Sequence, residues 1–226
     1  MFVSFVIDKI IPKVTYNEEI DGYSCNRSLA SNNGGALYIL GDYALVCNFN
    51  ISNTNSTNYG GAIYIAGDNT NITNSNFTRC TAYIHDGGAL YVLGVNTTIA
   101  YSNFEMNKVN ISSQGRGGSI NIQGDYTRIL KCNFDRCTAY EGGVIYVKGN
   151  HVEIDGYSCN RSFATNGGAI YVMGDYVDIC NFDISHTNAT SYGGALYVAG
   201  DFVNVVNSSL TRCIAYTGHG GAAYIS

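Results

Sequence analysis

Apolar and polar positions alternate along this chain in a short pattern that keeps returning. Gly34-Gly35-Ala36-Leu37-Tyr38-Ile39-Leu40-Gly41 has close copies beginning at Gly60, Gly87, Gly117, Gly142, Gly167, Gly193 and Gly220. Successive copies are 26, 27, 30, 25, 25, 26 and 27 residues apart, a period that marks stacked repeat units. The place of Leu37 is taken by Ile63, Leu90, Ile120, Ile145, Ile170, Leu196 and Ala223. That of Ile39 is taken by Ile65, Val92, Ile122, Val147, Val172, Val198 and Ile225. Both places are always apolar, whereas the next one accepts Leu40, Ala66, Leu93, Gln123, Lys148, Met173, Ala199 and Ser226, as a solvent-facing site does. Side chains alternate between faces along a strand, so Tyr38 and its counterparts belong to the outer face.

Each such strand is followed by turn residues, as in Gly41-Asp42, Gly67-Asp68, Gly124-Asp125, Gly149-Asn150, Gly174-Asp175 and Gly200-Asp201, with Gly94-Val95 the departure. Five residues after that Gly comes a core aliphatic: Val46, Ile72, Ile99, Ile129, Ile154, Ile179 or Val205. It predicts a second strand, and pairs such as Phe49/Ile51, Ser75/Phe77 and Ser102/Phe104 predict a third. A polar turn then leads back to Gly-Gly. Three short strands in about 25 residues describe one coil of a parallel β-helix, rising roughly 4.8 Å per coil, so eight coils stand about 35 to 40 Å tall. No window has the three-and-four apolar spacing of a helical solenoid. Residues 20–226 read as one repeat domain, within which residues 20–28 recur as residues 154–162. Residues 1–19, with Pro12, read as a degenerate first coil or a cap.

Composition narrows the function classes. The net charge is -5 with no cluster of Lys or Arg, which argues against a nucleic-acid partner. The longest apolar runs are single strands, far short of the roughly 20 residues that cross a bilayer. The segment from Met1 to Val14 lacks a basic start and is interrupted by Asp8, so it makes a poor signal peptide. The last coil stops at Ser226 with an open sheet edge, from which end-to-end self-association is expected.

The alternation of Gly-Gly-Ala-Leu/Ile with Phe-x-x-Asn, whole in Gly87-Gly88-Ala89-Leu90 and Phe104-Glu105-Met106-Asn107, resembles the chlamydial polymorphic membrane protein repeat. It equally resembles the adhesin-like surface proteins of methanogenic archaea. The resemblance covers residues 20–226 and implies a right-handed parallel β-helix at an extracellular cell surface, serving attachment rather than catalysis. It departs from the pattern at Cys80, Cys137 and Cys213, which stand where the motif has Asn.

The candidate chemistry is repetitive. Tyr38, Tyr64, Tyr91, Tyr146, Tyr171, Tyr197 and Tyr224 form an outer aromatic column broken by Asn121. Stacking that stabilises the sheet is one reading; a ladder for sugar faces or a protein partner is the other. Asp42 with Asp68, and Asp175 with Asp201, lie one coil apart, as turn residues, as a weak Ca²⁺ site or, least favoured, as a glycosidase-like carboxylate dyad. The Gly-Gly pairs supply positive φ and close backbone approach. Cysteines at equivalent places never occupy neighbouring coils, so most are expected as buried thiols, with diagonal bridges Cys25–Cys47 and Cys159–Cys180 left open. His85, His151, His186 and His219 share no offset that suggests a metal site. Ten Asn-x-Ser/Thr sequons, Asn26 among them, suit a surface protein.

The expected protein is a non-enzymatic, adhesin-like β-helix, a rigid spacer with no cofactor whose outer face meets carbohydrate or a cell-surface protein. The alternatives are a β-helix polysaccharide lyase or glycosidase, for which the long coil near Arg116 and Asp125 is the place to look, and a purely structural stalk.

Overall fold

The computed structural model describes residues 19–156 and 158–226. They form eight coils of a right-handed parallel β-helix. Apart from Glu19, the cap expected over residues 1–19 lies outside the described residues.

Every coil runs over four faces. Face A stacks eight strands from Glu19–Asp21 to Asn204–Val206, face B eight from Ser24–Asn26 to Ser209–Thr211, and face D eight from Leu37–Ile39 to Ala223–Ile225. These are the three strands that the periodicity predicts. Between B and D the structure adds a fourth, shorter pairing, face C, starting at Leu29–Ala30 and continuing through segments such as Asn55–Ser56 and Lys108–Val109. Apart from Val109 its buried inward residues are small, among them Ala82, Ala139, Ala164 and Ala189, which is why apolar periodicity did not announce it.

The described strands pair in parallel, with equivalent residues of successive coils directly above one another; on face C the register shifts by one residue between Ala164 and Asn166. The inward columns fill the core: Val46, Ile72, Ile99, Ile129, Ile154 and Ile179 on face A, and both apolar positions of face D from Leu37 and Ile39 to Leu196 and Val198, are nearly fully buried, while Ile225 in the last coil is exposed. On face B, Phe77, Phe104 and Phe134 stack with centroids 4.9 Å apart. A short 3-10 turn at Ile111–Ser113 takes up the extra residues of the longest coil.

A left-handed residue stands at each corner of the coil. Asn fits such a corner readily, and Asn48, Asn53, Asn69, Asn74 and Asn181 occupy several. Between faces C and D the corner is Gly-Gly. Gly142 has φ +62°, and a Cβ on Gly143 would overlap the carbonyl oxygen of Gly168 in the next coil. The first glycine is therefore held by conformation and the second by contact. Replacing Gly143 by Ala is expected to cost about 3 kcal/mol or more, read as a drop in urea midpoint; an unchanged midpoint would refute the contact argument.

One inward column is polar. Asn107 accepts from the Cys80 amide at 2.9 Å and donates to the Phe77 carbonyl at 3.0 Å, so its buried amide bridges coils. Where Cys replaces it, hydroxyls donate to sulfur, Thr54 to Cys80 at 3.4 Å and Ser119 to Cys137 at 3.0 Å. None of the eight cysteines is in a disulfide among the described residues. The diagonal bridges left open by the sequence are not formed: Cys25 lies on face B, while the Cys47 sulfur on face A donates to Asp21 at 3.4 Å. Burial pushes the Cys80 and Cys132 thiols up to about 12 and the Cys137 thiol up to about 11. A thiol raised in the folded chain contributes its full stability below its unfolded pKa, near 8.5, and loses it as pH rises to the folded value. The urea midpoint is expected to stay level to about pH 8 and to fall between about pH 9 and 12. Native labelling by a maleimide near neutral pH should reach no more than the half-exposed Cys25, Cys180 and Cys213; labelling of Cys137 before unfolding would contradict this.

Candidate functional site

The expected tyrosine column is present on face D, and it is less open than the alternation implied. Tyr38 stacks on Tyr64 at 4.8 Å and 8°, and Tyr171 on Tyr197 at 4.3 Å and 2°. Tyr146 on Tyr171 and Tyr197 on Tyr224 extend the column. Residues just ahead of the Gly-Gly corner lean over it: Tyr59 meets Tyr91 at 4.5 Å, and Tyr192 meets Tyr224 at 4.9 Å. Tyr146 and Tyr171 retain only 4% and 8% of their exposure. Burial accordingly raises the Tyr91 and Tyr171 hydroxyl pKa values above the usual phenol range. Stacked rings offer their edges rather than their faces to a partner, which removes most of this column as a platform for sugar faces.

The aspartates serve the turn. An Asp42 oxygen accepts from the Asp68 amide, Asp68 from Val95, and Asp175 from Asp201, each at 2.9 Å. Asp125 and Asn150 continue the same column. One oxygen of each of these carboxylates is thus committed to the next coil, and the pairs Asp42/Asp68 and Asp175/Asp201 are links in the stack. Among the described residues, the side chains close enough together to hold a cation are Glu19, Asp21 and Cys47.

The column breaks where Asn121 stands between Tyr91 and Tyr146. Asn121 is fully buried. Its Oδ1 accepts from Gln123 at 2.7 Å, while its Nδ2 has no hydrogen-bond partner. Arg116, at the end of the long coil, lies with its guanidinium 5.2 Å from the Tyr146 centroid. Its Nε donates to Glu141 at 2.9 Å, and its amide donates to Asp86 at 2.8 Å. Asp86 is partly enclosed; burial raises its carboxyl pKa above the ordinary, while the Arg116 amide and guanidinium pull it down. Asp86, Arg116 and Glu141 occupy one place in the repeat, the residue before the first glycine. The sequence singled out Arg116 but not its neighbours, although the shared offset would have found them. Asp125, named with it, lies at the far end of the face D strand in the turn column.

A second aromatic column went unpredicted. At the corner between faces D and A, Tyr126, His151, Tyr176 and Phe202 stack at 4.8 to 4.9 Å with planes within 9°. Tyr126, Tyr176 and Phe202 are 56%, 50% and 69% exposed. Each follows the Gly-Asp or Gly-Asn pair, so the signal was in the sequence at the turn rather than in a strand. Face B is polar outside. Two open grooves cross it, of about 770 Å³ by Asn181 and Asp183 and about 520 Å³ by Glu105, Asp135 and Arg161.

No protein-family model matches the chain, and no curated protein or solved structure matches it either, so the family resemblance rests on the repeat residues themselves.

The two columns differ in what they stabilise. Replacing Tyr171 by Ala is expected to cost about 2 to 4 kcal/mol because it empties a buried place, whereas Phe202→Ala should cost no more than about 1 kcal/mol. Equal losses in thermal or urea denaturation would contradict the assignment of the face D column to the fold.

Proposed function

We propose that the chain is a non-catalytic, adhesin-like rod of an extracellular surface, holding side chains that contact carbohydrate or a surface protein at fixed spacing. The observation that supports this reading is the registry of the coils. Backbone, amide, carboxylate and ring columns all repeat at one coil spacing, and a single long coil interrupts them. Such a surface offers the same shallow chemistry many times over. A rod also suits this role because adjacent coils are tied at strands and corners alike, as in the Gly143 to Gly167 and Tyr126 to Asn150 backbone bonds. The burial of Tyr146 and Tyr171 favours a second reading, a purely structural stalk, since it withdraws the most regular aromatic column from partners.

The test is incubation with a panel of polysaccharides, with and without Ca²⁺, following retention and product release together. Retention without release is expected. Product release would overturn the non-catalytic reading, and neither signal would leave the stalk as the better account.

A further inference from the structure

We propose that the break in the face D column at Asn121 is a binding site for one neutral sugar ring, with Arg116 as the group that closes it. The inference rests on the carbohydrate-contacting reading above and narrows it to one place. Wherever else face D carries Tyr, each ring lies against the next. At Asn121 the side chain is too short to do so. Among the described residues Tyr91 meets only the preceding coil's rings, Tyr59 and Tyr64, and Tyr146 only the following Tyr171, so the faces these two rings turn towards Asn121 have no ring against them. Tyr91 and Tyr146 are two coil spacings apart, roughly 9.6 Å, and the layer between them is filled by Asn121 and by the Arg116 guanidinium on the Tyr146 ring, so a sugar ring enters only in exchange for Arg116.

The polar groups around the gap match hydroxyls. Arg116 uses Nε on Glu141 and has no hydrogen bond from either Nη among the described residues. Asn121 Nδ2 is a second unpaired donor, and leaving it buried without an acceptor is costly. Asp86 and Glu141 each keep one carboxylate oxygen beyond those engaged by Arg116. Donors and acceptors are therefore both present at the break, and a vicinal diol answers both. Two carboxylates against one guanidinium leave the site with a negative balance, which disfavours a uronate. Arg116 is half exposed and held at its tip by one ion pair. It stands on Tyr146 in place of the missing ring and moves aside when a sugar takes that place.

The experiment is ligand-observed saturation-transfer NMR with neutral methyl pyranosides and the corresponding uronates. Wild type is compared with Asn121→Tyr, Tyr91→Ala and the double variant Tyr176→Ala/Phe202→Ala. Asn121→Tyr completes the column and so should fold as well as wild type, checked by circular dichroism. Neutral pyranosides are expected to bind wild type and the double variant equally. They should bind Asn121→Tyr and Tyr91→Ala at least about tenfold more weakly, and uronates should bind wild type more weakly by a similar factor. Full binding by a folded Asn121→Tyr overturns the site, as does tighter binding of uronates. Loss confined to the double variant moves binding to the exposed corner column, which ends this proposal and leaves the carbohydrate-contacting rod standing. Absence of any pyranoside signal up to about 10 mM overturns the site; retention of a polysaccharide would then keep the broader reading, and its absence would end both.

Discussion

In-register parallel pairing is the constraint on which the rest of this molecule depends. A slip of one residue in any strand would send its inward column to solvent and its outward column into the core. Once register holds, each residue meets its own counterparts above and below at the strand spacing. That single geometry produces the Phe77–Phe104–Phe134 stack inside, the Asp42 to Asp68 link at the corner and the tyrosine column outside. It also explains why Gly143 can be nothing larger: the coils approach so closely at the Gly-Gly corner that the next coil's carbonyl occupies the space of a Cβ.

Register restricts what can be repeated. A column of identical residues survives only if each can satisfy the next. Primary amides do so, since the nitrogen of one donates to the oxygen of another, as Asn103 does to Asn76 and Asn133 to Asn103. Aromatic rings do so by stacking. Like charges do not, and Glu105 beside Asp135 is tolerated because Arg136 and Arg161 lie among them. Such exposed pairs contribute little to stability individually; what they remove is the repulsion that registry imposes.

The sequence was informative wherever a position is sampled eight times with the same physical demand. Leu37 and Ile39 with their counterparts gave face D, the Val46 column gave face A, and the turn role of Asp42 followed from its neighbours Gly41 and Gly67. Face C was hidden because most of its inward residues are small and most of its strands are two residues long. The corner column of Tyr126, His151, Tyr176 and Phe202 was hidden for a different reason. Bulky residues are uncommon at positive φ, yet these have φ of 54 to 56°. The corner is imposed by the coil and the exposed rings gain stacking partners there. Exposure of the face D tyrosines was overestimated because alternation tells which way a side chain points and says nothing of what leans across it. Tyr59 and Tyr192 belong to another face of the coil, and only three dimensions bring them over the column.

Stacking uses the faces that a partner would need, so the perfection of a column and its availability for binding oppose each other. The outer chemistry of a regular coil is largely spent on the coils beside it, through rings, amides and turn carboxylates. Binding capacity is then concentrated where the repeat fails: at a residue too short for its column, at an inserted turn, or where charges of opposite sign replace identical side chains. In this chain those three departures converge. Asn121 interrupts the tyrosines, the 3-10 turn at Ile111–Ser113 lengthens the same coil, and Asp86, Arg116 and Glu141 replace the residues that elsewhere cover the column. The insertion ends by delivering Arg116 back into register beside Glu141, which places its guanidinium on Tyr146 at the break in the ring stack.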